Sequence, residues 1–484
     1  MNETGCVECC IRLQEQKVFI PGGGILIHIS KYLLPALVAL VFVSLSEQGY
    51  ATNGYFPHGI GAKNKAMAGA GMAMPEEAIS IVSNPAAAVF LQDRLDVGLS
   101  IFMPMRNYST FFGGNNGQNN SFSFGTVDID SSEDLFLLPE MAGTHQLEND
   151  SAFAWAFYTR GGIGGTYPGG SATFDPDADG PLGIATFPGT YGDGTMSLEL
   201  TQGLVDLTWA RKAGDKFSFG FSAVLAAQSL NATGFGGLSR YTEVFSASNG
   251  ADLPGKLSGH GKQIKYGAGL KLGLHWLLTD TLSAAVMYQT RINLGRYTDY
   301  ADLLAERGDL DMPSWSKLGI SWRPVKQLSF SVDIQQISYS QIDAWGNSFA
   351  NVYECPGTGL GGTKPTHCLG GKSGAGFGWN DVPVYSFGAS WDVNNDWTLR
   401  AGMSIGDQPV VYYENTFNIP IFNLTEAHYT AGVSRRLRSG NEWSVALMYA
   451  EEDSLEAVNQ LDSSQIVQMT TDQFDIQLSY SWKR

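Results

Sequence analysis

From about residue 93 to its end the chain keeps a hydrophobic period of two, and this alternation constrains the fold more than any other feature. In a strand that pattern gives one apolar face and one polar or small face. Leu95, Val97, Leu99, Ile101 and Met103 alternate with Asp96, Gly98 and Ser100. Leu270, Leu272 and Leu274 alternate with Gly269, Lys271 and Gly273, and Val332 and Leu399 sit in similar runs beside Ser331 and Gly402. Such segments start near 95, 122, 152, 198, 217, 265, 282, 315, 328, 384, 397, 429, 443 and 474, about fourteen in all. The weakest is Phe122 to Ile129, with Leu135 to Leu147 competing for the same strand. Tight turns, as at Lys212 to Lys216 and Val393 to Asp396, alternate with long connections that start at Gly161, Asn231, Leu294, Asp343, Asp407 and Glu451.

A soluble sandwich also alternates, but it leaves sheet edges and faces its apolar residues onto one shared core. Here tryptophans recur at strand ends (Trp209, Trp276, Trp322, Trp391, Trp397, Trp443, Trp482), as interfacial girdles do. Only 16% of residues are charged, and beyond 32–45 no apolar run approaches the roughly 20 residues of a spanning helix. Membrane insertion must therefore be by strands, and the fold class is all-β, a transmembrane antiparallel β-barrel. On this facing Leu270, Leu272, Val332 and Leu399 meet lipid, while Gly269, Ser331 and Gly402 meet the lumen, where a polar substitution should be cheap. A net charge of −17 excludes nucleic acid as a partner.

Residues 1–51 read as a leader with a signal peptide whose apolar stretch is 32–45 and whose cleavage follows Gly49-Tyr50-Ala51. The thirty residues ahead of it form no ordinary n-region, as if the start codon lay further on. Export would place the barrel in the bacterial outer membrane and remove Cys6, Cys9 and Cys10. Cys355 and Cys368, which enclose a glycine- and proline-rich loop, are then expected to form a disulfide.

Residues 58–92 (HGIGAKNKAMAGAGMAMPEEAISIVSNPAAAVFLQ) carry Gly59, Gly61, Gly69, Ala70, Gly71, Ala73, Ala78 and Asn84-Pro85-Ala86. This segment resembles the N-terminal plug of the outer-membrane long-chain fatty acid transporter family, which includes aromatic-hydrocarbon channels. Residues 312–345 and 384–410, with Leu399-Arg400-Ala401-Gly402, Asp407, Pro409 and Val410, extend the resemblance over most of the exported chain. Glu77, where aspartate is more usual, and the loop of Cys355 and Cys368 depart from it. The resemblance implies a fourteen-stranded barrel (93–484) with a hatch (52–92) folded into the lumen. It also implies capture of a hydrophobic solute by the outer loops and release sideways through the wall. Gly69, Gly71, Asn84, Pro85 and Ala86 are the expected hatch or gate residues, small enough to pack in a lumen, with Asn84-Pro85 breaking any helix there. The partners are hydrophobic small molecules, fatty acids or hydrocarbons, with outer-membrane lipid and lipopolysaccharide around a monomer. The rival is a general diffusion porin or a structural barrel, neither of which needs a filled lumen.

A fatty acid's carboxylate would seek a cation, and the polar strand faces offer Lys271, Arg291, Lys317, Arg400 and Arg436. The plainer role for each is a lumen charge paired with a carboxylate such as Asp333. Asp175, Asp177 and Asp179 have the spacing of the first half of a calcium loop, but Thr186 stands where the closing glutamate belongs, so a solvated acidic loop competes with structural calcium. No other cofactor is expected. Gly371-Lys372-Ser373 lacks the first glycine and the following helix of a phosphate loop. No Gly-x-Ser-x-Gly or metal-spaced histidines appear, so the chain does not read as an enzyme.

Overall fold

A computed structural model describes residues 53–178 and 183–483; the leader 1–51 and Asp179 lie outside the described residues. Fourteen long antiparallel strands close on themselves: β1 (Arg94–Phe111), β2 (Phe136–Gln146), β3 (Ser151–Tyr167), β4 (Met196–Lys212), β5 (Phe217–Thr233), β6 (Gln263–Leu277), β7 (Leu282–Gln289), β8 (Trp315–Val325), β9 (Leu328–Ile337), β10 (Val382–Asp392), β11 (Trp397–Gly406), β12 (Ala427–Arg436), β13 (Glu442–Asn459) and β14 (Asp462–Lys483). β14 pairs with β1 from Arg94↔Lys483 to Phe111↔Ile466, so the sheet has no free edge along this seam.

The period-two reading sets the faces. Leu270 and Leu272 are 58% and 59% exposed on the outside, whereas Lys271 between them is fully buried in the lumen. Val332 and Leu399 also face out, and Ser331 and Arg400 face in. Six of the seven end tryptophans lie at strand ends joined by tight turns, and Trp482 lies at the same end of the barrel beside the start of β1, the periplasmic side of such a barrel. Exposed tyrosines, Tyr266, Tyr288 and Tyr385, stand near the opposite ends.

Three expectations about the strands change. Phe122 to Ile129 does not become a barrel strand: it yields only the short pieces Ser123–Phe124 and Asp128–Asp130, and the competing segment forms β2. Its alternation is broken by polar residues, whereas Leu135, Leu137 and Met141 supply an outward apolar row. The stretch from Glu451 is no long loop, because β13 runs on to Asn459 and turns directly into β14. Polar alternation above the lipid belt is still strand. The connection placed at Gly161 begins instead after Tyr167, and Gly161 sits within β3 at a register shift.

Residues 53–92 fill the lumen. An α-turn at Ala62–Lys65 is followed by 3₁₀ stretches at Ala78–Val82 and Pro85–Phe90, all largely buried and the last alanine-rich. Asn84-Pro85 starts a helical stretch instead of breaking one. Pro85 occupies the first helical position, where its missing N–H costs nothing, and Asn84 Oδ1 accepts from Ala86 N at 3.0 Å.

Candidate functional site

The lumen segment is fastened to the wall through its backbone and its side chains. Asn84 Nδ2 donates to Leu274 O at 3.0 Å, and Met72 N donates to Asp333 Oδ2 at 3.0 Å. Ala78 N donates to Asp96 Oδ2 at 2.6 Å, and Gly61 N to Glu140 Oε2 at 3.1 Å. Ion pairs add to these: Lys65 with Asp475 at 2.5 Å, and Lys63 with Glu442. Wall glycines let the segment approach. A Cβ at Gly402 would meet backbone C of Met67 at 2.3 Å, and one at Gly273 would meet Asn84 Oδ1 at 2.0 Å. The lumen at Gly402 and Gly269 is thus occupied, which corrects the expectation of cheap substitution there; at Gly269 a Cβ would meet Ile292 at 2.8 Å. Gly69 needs its glycine too, with φ +85 and His58 O where a Cβ would stand, while at Gly71, with φ +103, a Cβ would make only ordinary contact, 3.6 Å from Met67 Cε.

Of the five candidate cations, three serve this fastening. Lys271 Nζ lies 2.5 Å from Asp206 Oδ2 and 2.9 Å from Val82 O. Lys317 Nζ pairs with Asp333 at 3.3 Å and donates to Gly69 O at 2.5 Å. Arg400 pairs with Glu76 at 2.5 Å and donates to Ser434 Oγ at 2.7 Å. Arg291 ties outer-loop residues Asp309 and Asp311 together at 3.2 and 2.7 Å. Arg436 ends β12 on the exposed periplasmic rim.

The wall is interrupted at one place beside this segment. β2 pairs with β3 from Gln146↔Ala152 to Glu140↔Tyr158 and no further. Yet β2 stays paired with β1 to Phe136↔Phe102, and β3 with β4 to Tyr167↔Met196, across a register shift between Thr159 and Gly161. A gap therefore separates Phe136–Pro139 from the stretch around Gly161. Gly161 has φ +130, and Tyr55 O lies 2.6 Å from where its Cβ would be. A cavity of about 40 Å³ lies here, lined among others by Tyr55, Phe56, His58, Phe102, Phe136 and Leu138. It has room for water but not for an acyl chain.

Sequence reading missed Arg160, the residue at that shift. Its side chain is 1% exposed, 4.7 Å over the Phe56 ring, and Nη2 donates to Gln289 Oε1 at 2.7 Å. Nη1, Gln289 Nε2 and the indole N–H of Trp315 make no hydrogen bond among the described residues. Gln289 and Trp315 are cross-strand partners, so three buried donors are left over in one place. The signal was twofold: the alternation through Ala154, Ala156 and Tyr158 puts Arg160 on the inward face, and the paired glycines Gly161-Gly162 within a strand mark a bulge beside it.

Above, Tyr55 packs at 5.3 Å on Tyr339 and 5.3 Å on Trp345, joining the lumen segment to an aromatic core under the outer loops. Cys355 and Cys368 are linked by a disulfide in that loop layer, with Cα atoms 4.8 Å apart. Glu414 there accepts from Phe349 N at 2.9 Å, and burial pushes its carboxyl above the usual range. Asp175 is buried, its carbonyl accepting from Arg240 at 2.6 Å. Among the described residues no group of three or more acidic, histidine or cysteine side chains is arranged to hold a metal, and Asp177 joins none.

By sequence alone no curated protein matches the chain. Among solved structures it is similar to the toluene transporter TodX of Pseudomonas putida (16% identity, 88% of this chain and 99% of that one, TM-score 0.58). It is also similar to the toluene transporter TbuX of Ralstonia pickettii (18%, 88% and 99%, TM-score 0.55) and to a FadL homologue of Pseudomonas aeruginosa (15%, 90% and 100%, TM-score 0.59). Residues 44–471 match the family described as outer membrane protein transport protein (OMPP1/FadL/TodX). The chain belongs to this family of outer-membrane β-barrels, transporters of hydrophobic compounds and not enzymes.

Proposed function

We propose that the protein is a passive channel for long hydrophobic molecules with one acceptor-bearing end, the fatty-acid class, and that residues 52–92 act as its hatch. Solute gathers at the aromatic layer under the outer loops, passes Tyr55 and Phe56, and leaves sideways through the gap between β2 and β3. The observation that carries this reading is the set of leftover donors at Arg160, Gln289 and Trp315 beside the gap. Unmatched donors in a buried place call for an acceptor, and a carboxylate supplies one with the matching charge. The five cations picked from sequence are a weaker choice, since four already have carboxylate partners. A filled lumen disfavours the porin alternative. The protein is taken to work as a monomer within lipid and lipopolysaccharide.

The test is uptake by cells that lack their own transporter of this class. Expression should restore uptake of a radiolabelled long-chain acid, and Arg160→Gln should reduce it far more than uptake of a neutral alkane. Free passage of small hydrophilic sugars through the intact barrel would instead make it a diffusion porin.

A further inference from the structure

We infer that Pro139 is the residue that holds the barrel wall open. This rests on the lateral-exit reading above. Along β2 the backbone N–H groups alternate between neighbours: Leu147 N donates to Ser151 O on the β3 side at 2.8 Å, and Gln146 N donates to Asp93 on the β1 side at 2.6 Å. The β2 register is unbroken against β1 from Thr144 to Phe136, so the odd residues of this strand, 139 included, aim their backbone groups at β3. Thr159 Oγ1 lies 3.4 Å from Pro139 O, which agrees: that carbonyl faces β3.

The rung above Glu140↔Tyr158 would set residue 139 opposite Thr159 as a hydrogen-bonded pair. It needs an N–H from 139, and proline has none. The ladder therefore stops at the first position that asks Pro139 for a donor. The register shift on β3 follows at once, Thr159 pairing with Gly203 and Gly161 with Gln202, so Arg160 is left without a partner on β4 while it keeps the inward facing of Ala156 and Tyr158 before it. A proline inside a closed sheet makes a local edge. Leu137 above, with Met141 and Phe157 below, are exposed apolar residues, so this edge opens onto lipid and not water.

The gap is thus fixed by covalent structure and does not open and close. The part that moves is the lumen segment behind it, where Tyr55 O stands against Gly161. Pro139 is a positioning residue: it touches no solute and acts by denying β3 a partner.

The test is Pro139→Val in the full chain, with Pro139→Ala as the second variant should the first assemble poorly, and Leu137→Val as a control that adds no donor. Backbone amides of residues 159–162 are followed by hydrogen exchange in bilayers, alongside uptake of a radiolabelled long-chain acid. Both Pro139 variants should slow exchange about tenfold, the effect of roughly one added hydrogen bond, and abolish uptake, while the control changes neither. Unchanged exchange at 159–162 would overturn the role of Pro139 and leave lateral exit standing. Slowed exchange with full uptake would show the wall closed without consequence, and would overturn the exit reading together with the inference.

Discussion

Lys271 separates a structural lumen charge from a substrate contact, and the geometry fixes what its removal should do. Its Nζ lies 2.5 Å from Asp206 Oδ2, and both side chains are 0% exposed. At an effective dielectric of 20 the gross attraction is roughly 7 kcal/mol, most of it offset by the desolvation of both ions. Lys271→Met removes one partner only. Asp206 then keeps, among the described residues, the Tyr158 hydroxyl at 3.2 Å, and Val82 O loses a donor at 2.9 Å. Such an uncompensated buried carboxylate should cost about 3–5 kcal/mol. Lys271→Met with Asp206→Leu removes both charges and should return to within about 1 kcal/mol of the parent. Urea titration of folding into bilayers reads both values, and acid uptake is measured on the same variants. The double variant should still transport, because Lys271 meets the lumen segment at Val82 O and an acidic wall residue, not the solute. A cost under about 1 kcal/mol for the single variant would refute the electrostatic argument. Lost uptake in a double variant of full stability would make Lys271 a substrate residue.

Leu272→Lys places an ammonium on the lipid face and should cost about 2–4 kcal/mol in the same titration. Gly402→Val meets Met67 backbone at 2.3 Å, so it should dislodge the lumen segment and raise single-channel conductance while the barrel stays folded. Deleting residues 52–92 should raise conductance further and abolish selectivity for hydrophobic solutes, with unchanged current arguing against a hatch. Non-reducing peptide mapping should recover Cys355 and Cys368 as one linked peptide pair, and Cys355→Ser with Cys368→Ser should make residues 337–382 protease-sensitive without moving the barrel's unfolding.

The barrel was legible because its two faces meet different solvents. Leu270, Lys271 and Leu272 announce outside, inside, outside with no tertiary information, and the closed sheet repeats that rule on strand after strand. The lumen was less legible. Alanines and glycines from 66 to 73 say that something packs closely, but not that Met67 lies on Gly388 and Gly402 or that Lys271 reaches Val82. Those contacts join residues hundreds of positions apart. Basic residues were found by type, and type alone cannot tell Lys271, already paired, from Arg160, which keeps spare donors. The wall gap needed three facts at once: proline at 139, glycine at 161, and the register that sets them on neighbouring strands.

The fastening of the lumen segment is uneven along its length, and this bears on how the proposed passive channel could open. Residues 61–86 are held by charged groups: Lys63, Lys65, Glu76 and the carbonyls of Gly69 and Val82 all meet buried wall charges. Removing one partner of such a pair costs about 3–5 kcal/mol. Residues 53–58 make no ion pair among the described residues: they are held by the packing of Tyr55 and Phe56, with Arg160 4.7 Å over the Phe56 ring, and by neutral hydrogen bonds, Asn423 to Gly54 O at 3.1 Å and Tyr339 to Asn53 O at 2.6 Å, each worth about 1 kcal/mol net. An acyl chain of sixteen methylenes gains roughly 13 kcal/mol on leaving water. A solute in the aromatic layer has already made that gain, and it displaces the tip, Asn53 to His58, only by exchanging its apolar contacts for the tip's, while the body stays locked. The tip is the stretch that stands against Gly161 and the gap. Opening by the tip alone would uncover the path to lipid without emptying the lumen, and so without letting water and ions run through.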